Sequence, residues 1–493
     1  MTTTRRLLPL ATTLCVLMAS LALAVVTARI ELALVACLAV VVAVAVTTGV
    51  REVTAAVDAM PVVPDVKTPQ AVIRAWFHRT FGALEDSNFR AFYLGNIMQF
   101  GSMQMQQVVR GYLVFHITGS FAALGTMALA NAIPSLIGSP IGGVVADRAT
   151  KKTVIQVGQA YNVINAALLV VLAAGWFGLH LAFWHLFVSA FLQGAVGSVM
   201  QPSRQSMISD IVPRERMMNA IGINSSGQTF MQLVGPGIAG FLIAAISPAA
   251  VFAVMGAMYA LAIMFTLQLP SKPLYSFAQS AAGAAARERR GARGGGGLAD
   301  LVEGMKYVVR DHRIRMLLLV NFLIVIVSLP YTQLLPGFVA AVLQRGPFEQ
   351  GMLQSVQGIG ALIGAVIVAS AAAVRRGKML IWAGALLGGA IVAFSISTNY
   401  WITMPIMVVL GFGQAQRMAL GQVLIQEYAE EEYRGRVVSV LFMQFGLVQF
   451  GTFVVGILAH AFGPQLAIGG MAVMLLCTMG AVALLSPTIR DLD

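Results

Sequence analysis

Long apolar stretches, broken by short polar ones, run almost the whole length of the chain. A membrane-crossing helix needs about 20 mostly apolar residues. Stretches of that kind lie at 7–28, 32–50, 91–115, 121–145, 153–175, 181–203, 219–246, 249–269, 316–342, 351–373, 379–397, 401–424, 437–460 and 465–486. The last twelve fall six and six around a polar segment, and the first two stand apart as a hairpin. The pattern predicts an all-α polytopic membrane protein. Its parts are an N-terminal transmembrane hairpin at 1–50, a connector at 51–88, a six-helix half at 89–269, a linker at 270–315 and a second six-helix half at 316–493.

The two polar segments have their own periodicity. Pro61, Pro64 and Pro69 keep the first part of the connector extended. Val72, Trp76, Thr80 and Leu84 then recur at helical spacing beside Arg74, His78 and Arg79, which predicts an amphipathic helix on the membrane surface. In the linker, 279–297 is rich in Ala, Gly and Arg and reads as flexible. Leu298, Leu301, Val302, Met305, Val308 and Val309 follow at helical spacing, so a second surface helix leads into the second half. At the N-terminus, Arg5 and Arg6 before an apolar run ending in Ala22-Leu23-Ala24 also fit a cleaved signal peptide. The length of the run and the span that follows at once favour an uncleaved hairpin.

Composition agrees with the pattern. The chain of 493 residues is 58% hydrophobic and 11% charged, with a mean hydropathy of +0.81. Soluble proteins carry roughly a quarter charged residues. The net charge of +12 does not imply nucleic acid, because the cations sit at span ends. With the N-terminus inside, all 32 Lys and Arg fall on the cytoplasmic side except Arg29 and Arg345 outside and Arg110 and Arg417 within spans. Both termini are then cytoplasmic. Cys15, Cys37 and Cys477 lie inside apolar runs, with no spacing that suggests a disulfide framework or a metal site.

One short loop organises the first half. Gly143, Asp147, Arg148, Lys151 and Lys152 stand between two apolar spans. Asp147 lies at a helix C-terminus, where the dipole disfavours a carboxylate, so it needs a cation or another helix N-terminus beside it. The five residues resemble the pattern G-x-x-x-D-R-x-G-R/K-R/K between the second and third helices of the major facilitator superfamily, with Thr150 in place of the second glycine. The resemblance implies a fold of 12 core helices in two related halves that rock around a central site. It also implies that Asp147 and its neighbouring cations latch the inner gate. The simpler reading, that Arg148, Lys151 and Lys152 only fix topology, is compatible with it.

The halves repeat. Gly235 and Gly240 have counterparts at Gly451 and Gly456, at a constant offset, and each pair follows an acidic-then-basic loop. Gly235-Pro236-Gly237-Ile238-Ala239-Gly240 forms a thin, bent helix segment. It is similar to the superfamily's fifth-helix antiporter motif, G-P-x-x-G-G; plain close packing explains it as well. Further stretches, among them Pro202-Ser203-Arg204, Glu303-Gly304-Met305-Lys306-Tyr307-Val308 and Arg434-Gly435-Arg436-Val437, resemble the transmembrane secretion effector branch, which includes enterobactin exporters and macrolide-efflux-type proteins. That resemblance places the chain in a bacterial inner (plasma) membrane.

Candidate chemistry is confined to polar residues inside spans. Asn96, Gln99, Ser102, Gln104, Gln106, Gln107 and Arg110 are too many for a lipid-facing helix. Gln193, Gln333, Gln414, Gln416 and Arg417 raise the same point elsewhere. In the superfamily the first, fourth, seventh and tenth core helices line the cavity, so Gln99, Gln106, Arg110, Gln193, Gln333, Gln414 and Arg417 are the expected cavity residues. No Asp or Glu lies mid-span, so the cavity suits an anionic or phenolate-bearing substrate. Arg110 could instead snorkel to the outer interface. Ala190 and Ser102 fill positions where relatives carry an arginine and an acid, which puts proton coupling in doubt.

The reading is a secondary active transporter working by alternating access, exporting a small amphiphilic or anionic metabolite or drug. Uptake, uncoupled facilitation, or a non-transporting sensor or scaffold of the same fold remain open. Its partners are the small-molecule substrate and the lipid bilayer, with the proton as a candidate coupling ion; no nucleic acid is expected, and the chain reads as a monomer. No catalytic, metal or cofactor constellation appears, and no phosphate-cradling Gly-Lys-Ser/Thr occurs. Gly358, Gly360 and Gly364 lie within an apolar span and read as helix packing.

Overall fold

The computed structural model describes residues 82–148, 150–275, 298–370, 376–431 and 433–486, without the side chains of 136–148, 298–302, 369–370, 439 and 485. The hairpin expected at 1–50 and most of the connector helix expected around 72–84 lie outside these residues. What is described of the connector is a short 3-10 turn, Gly82–Glu85.

The helices of the first half are α1 (Ser87–Thr118), α2 (Phe121–Arg148), α3 (Lys151–Ala173), α4 (Phe183–Ile211), α5 (Met217–Ala245) and α6 (Pro248–Leu267). The surface helix α7 (Leu298–Arg310) follows. The second half holds α8 (His312–Ser328), α9 (Pro330–Ala341), α10 (Pro347–Ser370), α11 (Arg376–Ile396), α12 (Tyr400–Tyr428), α13 (Arg434–Phe442), α14 (Gln444–Phe462) and α15 (Pro464–Leu485). α8 with α9, and α13 with α14, each make one rod with a break, at Leu329 before a proline and at Met443. These rods coincide with the apolar stretches from 91 to 486 to within a few residues, except that α4 runs eight residues past the expected end at 203. Two starts move outward: α1 begins inside the expected connector and α8 inside the expected linker.

Local sequence explains the boundaries. Asp86 caps α1 by accepting from the Asn88 and Phe89 amides at 2.8 and 3.2 Å. Asp311 caps α8 in the same way, from Arg313 and Ile314 at 2.8 and 3.0 Å. Among the described residues, 9 elements are long and apolar enough to cross a membrane by length and composition. α1 and α12, of 32 and 29 residues, are long enough but carry polar stripes along their length. Those stripes mark the helices that carry most of the expected cavity residues.

The two halves use the same internal contacts. In the first, α1 packs on α5 and α6, α2 on α4, and α3 on α6 and α4. In the second, α8 packs on α14 and α15, α10 on α12, and α11 on α15 and α12. Among the described residues, four ion pairs at the basic end repeat this relation. Lys151–Asp210 (2.7 Å) joins the start of α3 to the end of α4, and Arg376–Glu427 joins α11 to α12. Arg216–Glu85 (3.6 Å) and Arg436–Glu303 (3.1 Å) tie the starts of α5 and α13 to the segments before α1 and α8. α7 is more than a surface helix: its Tyr307 ring stacks on Tyr433 at 4.4 Å and its Gly304 backs onto Arg436.

The halves meet chiefly through two contacts, α2 with α14 and α5 with α10. Both are closest toward the end opposite the basic loops. There a Cβ built on Gly240 would lie 2.5 Å from the Pro347 carbonyl and 3.1 Å from the Gly351 Cα. A Cβ on Gly456 would lie 2.8 Å from the Phe121 carbonyl and 2.9 Å from the Gly125 Cα. Backbone therefore rests on backbone at both places, which only glycine permits. Gly235 and Gly451 face inward instead, onto Gln104 of α1 and Ile326 of α8. Gly358 backs onto Leu233, Gly360 onto Val408 and Gly364 onto Phe412, so these glycines do pack helices.

Gly456→Val is expected to pry the α2–α14 contact apart, overpacking it by about 1–3 kcal/mol. The check is the alkylation rate of a cysteine substituted for Ser355, which faces Gly237 in the other contact. A roughly 5- to 100-fold faster rate at that distant site is expected, since both contacts open together.

Candidate substrate site

The polar stripe of α1 is turned into the first half. Asn96, Gln99, Ser102 and Gln106 are buried, and Arg110 is half-buried. Arg110 Nη2 donates to Gln193 Oε1 of α4 at 2.5 Å, and Gln193 Nε2 donates to Gln106 Oε1. One hydrogen-bonded chain thus joins three of the expected cavity residues across α1 and α4. A cation at mid-membrane costs about 3 kcal/mol on insertion scales, and a polarised amide oxygen offsets part of that. Arg110 therefore turns inward rather than snorkelling. A guanidinium has five N–H donors, of which the bond to Gln193 uses one.

The first half also holds buried polar atoms without protein partners: Gln99 Oε1 on α1, Gln159 Oε1 and Asn162 Oδ1 on α3, and the Tyr259 hydroxyl on α6. Ser102 and Ala190, at the positions where relatives are expected to carry an acid and an arginine, are both buried. Ser102 is fully buried, donating to Met98 O at 2.9 Å and Met255 O at 3.5 Å, and Ala190 is fully buried in the apolar core.

In the second half, Gln333 and Gln414 are half-buried, and Gln414 Oε1 has no partner. Arg417 is only 3% exposed. It does not reach toward Glu427, which pairs with Arg376. Its Nη1 donates to Asn321 Oδ1 at 3.0 Å and to Gln444 Oε1 at 3.5 Å. Gly421 makes this possible, since a Cβ there would lie 2.9 Å from Asn321 Oδ1.

The expected gating residues separate. Gly143, Asp147 and Arg148 lie in the last turns of α2, and their side chains are outside the described residues. Lys151 bonds Asp210 and, at 3.1 Å, the Ser206 carbonyl. Lys152 bonds the Leu267 and Leu269 carbonyls at 2.9 and 2.6 Å. Both lysines thus cap helix C-termini of their own half, where the dipole favours a cation. Gly235 and Pro236 are buried in α5, and Gly240 sits in the α5–α10 contact.

Sequence reading missed Arg204. It stands one residue past the expected end of a span, but α4 runs on to Ile211 and buries it at 3% exposure. Its Nε donates to Asn96 Oδ1 at 3.0 Å, Nη2 donates to the same oxygen, and the Phe100 ring lies 4.7 Å from its guanidinium carbon. The repeat held a usable signal: Asp86 and Asn96 recur as Asp311 and Asn321 with the same spacing.

This arrangement of helices is that of the major facilitator fold. A solved bacterial homologue of the human lysosomal transporter Spinster, in an inward-facing and unoccupied conformation, superposes with a TM-score of 0.64 at 15% identity, covering 82% of this chain and 97% of that one. The chain belongs to the transmembrane secretion effector family of the major facilitator superfamily, whose profile matches residues 78–493. It is therefore a multi-pass membrane transporter of small molecules and not an enzyme. It is similar to the staphyloferrin A transporter of Staphylococcus aureus, 20% identical over 78% of this chain and 93% of that one. The multidrug efflux pump Tap of Mycobacterium tuberculosis is 25% identical, over 78% of this chain and 89% of the pump.

Gln193→Leu removes the acceptor of Arg110 and is expected to destabilise the protein by about 2 kcal/mol. Arg110→Leu combined with Gln193→Leu should cost less than the sum of the two. Thermal unfolding of the single and double variants in detergent measures the coupling, expected at about 1.5–3 kcal/mol.

Proposed function

We propose that the chain is a secondary active transporter that exports a small amphiphilic, anionic compound across the bacterial plasma membrane by alternating access. The observation that carries this reading is the Arg110–Gln193–Gln106 chain: a guanidinium inside the membrane, bonded only to an amide, with donors to spare. In the described spans, the acids Asp147, Asp210, Glu349 and Glu427 all fall within the first or last turn. An anion entering between the halves supplies the missing countercharge. Arg110, Gln106, Gln193, Gln99, Gln333 and Gln414 are the proposed contacts. Arg417, buried behind its amides, contributes its charge through the wall.

The basic end is taken as cytoplasmic, from the lysine and arginine excess of its loops. With the halves in contact at the opposite end, the structure then corresponds to a state open to the cytoplasm. Twelve core spans in two repeated halves, preceded by the 1–50 hairpin, complete the proposed topology. Asp147 and Arg148 at the end of α2 are the proposed inner-gate latch, with Gly143 close by. Lys151 and Lys152 hold that loop to α4 and α6. Gly235, Pro236 and Gly240 shape the outer contact. A relative named as a staphyloferrin A transporter supports a small-compound cargo, and one named as a multidrug efflux pump supports outward movement. The buried Ser102 and Ala190 support weak proton coupling or none.

Proteoliposomes test this directly. Counterflow of an amphiphilic anion is expected, with Arg110→Gln weakening its apparent affinity about tenfold or more while a neutral analogue is unaffected. Absence of counterflow over a broad panel of anions overturns the reading. Under an imposed proton gradient, uptake should change less than about twofold; strict one-proton stoichiometry overturns the coupling assignment.

A further inference from the structure

Two buried arginines occupy matching places in the two halves. In the first, Arg204 of α4 donates to Asn96 Oδ1 of α1, and Asn96 Nδ2 donates to Asn224 Oδ1 of α5 at 2.8 Å. In the second, Arg417 of α12 donates to Asn321 Oδ1 of α8, and Asn321 Nδ2 donates to Gln444 Oε1 of α14 at 3.2 Å. The helices correspond one to one: α4 to α12, α1 to α8, α5 to α14. Asn96 and Asn321 are each the tenth residue of their helix. Both triads therefore lie about 14 Å in from the basic end. Each arginine is 3% exposed, and each keeps one buried nitrogen without a partner, Arg204 Nη1 and Arg417 Nε.

Both triads contain amides and no carboxylate. An amide does not titrate, and a guanidinium does not lose its proton in a protein. The triads are thus two permanent positive charges, one per half, at the same depth. They lie toward the end away from the glycine contacts that join the halves. Closing the basic end shortens the distance between them, and like charges in a poorly screened interior repel.

We propose that Arg204 and Arg417 are positioning residues that form a charge gate: their repulsion holds the basic end open until an anionic cargo enters between the halves and offsets it. The gate rests on the anionic-cargo reading above. It makes closure conditional on loading, and after release the empty protein is driven back to the basic-end-open state. The amide partners keep the two charges fixed to the wall, so they act on the gate without leaving their own half.

The test needs no known substrate. Spin labels replace Met218 on α5 and Phe442 on α13, both exposed near the basic end of opposite halves, with the three native cysteines changed to serine. Electron-spin distance distributions are recorded for the full chain in lipid nanodiscs. Without ligand, Arg204→Gln combined with Arg417→Gln should raise the ratio of the short-distance to the long-distance population about tenfold. Tenfold is the full repulsion of unit charges about 12 Å apart at an effective dielectric of about 20, gained when closure brings them to that separation from one at which the interaction is small. Arg204→Lys with Arg417→Lys keeps the charge and should leave the ratio as in the parent. If the glutamine variant keeps the parent ratio, or if the lysine variant shifts as far as the glutamine variant, the charge gate is overturned. A far-ultraviolet spectrum and a thermal unfolding scan select variants that fold; where the double variant does not, the single glutamine variants are read in its place, each expected to shift the ratio in the same direction. Salicylate, with benzamide as its uncharged counterpart, is then added to the parent. A shift with salicylate alone supports both proposals. A glutamine effect without a salicylate effect supports the gate and counts against this class of cargo.

Discussion

A permanent charge placed inside a membrane has to be met by something, and in this protein amides meet it. Arg110, Arg204 and Arg417 each donate to side-chain amide oxygens. A carboxylate partner would neutralise the charge and make it titratable. An amide oxygen satisfies hydrogen bonds and leaves the charge in place. That choice fixes neighbouring structure. α1 must run beside α4 so that Asn96 and Gln106 reach their partners, and α8 must run close enough to α12 for Asn321 to use the space left by Gly421. The polar stripes that lower the hydropathy of α1 and α12 are the cost of holding these cations.

The second organising fact is repetition at every level. Helix caps, buried arginines, ion pairs and glycine contacts all occur twice, once per half. Among the described residues, Lys151–Asp210 braces the basic end of the first half and Arg376–Glu427 that of the second. The halves touch chiefly through α2–α14 and α5–α10. A body built this way moves as two braced units about a narrow contact. The halves do differ in one respect. α3 carries Gln159, Asn162 and Asn165, all buried, whereas α11 is almost wholly apolar. The polar interior, and with it the candidate contact chain, belongs mainly to the first half.

Much of this was legible in the sequence, because a spanning helix needs about 20 mostly apolar residues in a row. The spans from 91 to 486, the helix at 298–310 and the two glycine pairs followed from pattern alone, as did the polar stripe of α1 that cannot face lipid. Side-chain pairing was not legible. Arg204 looked like a loop cation because the apolar run stops at 203 while the helix continues, stabilised by packing that hydropathy does not register. Arg417 looked like a residue of the cavity surface, since nothing in a sequence says that Asn321 and Gln444 will arrive beside it. Lys151 and Lys152 looked like partners for Asp147, but the ends of α4 and α6 come within their reach. Pairings of this kind depend on tertiary distances, which the periodicity of one helix does not encode.

The glycine contacts differ in mechanical character from the rest of the protein. At Gly240–Gly351 and Gly456–Gly125 the adhesion is backbone against backbone, held by dispersion forces. Such attraction loses roughly a quarter to a half of its strength over the first 0.5–1 Å of separation, so the seam is brittle and weakens steeply once it starts to part. The arginines near the other end interact over many ångströms and behave like a soft spring. A transporter with a brittle catch at one mouth and a spring at the other has few stable half-open postures.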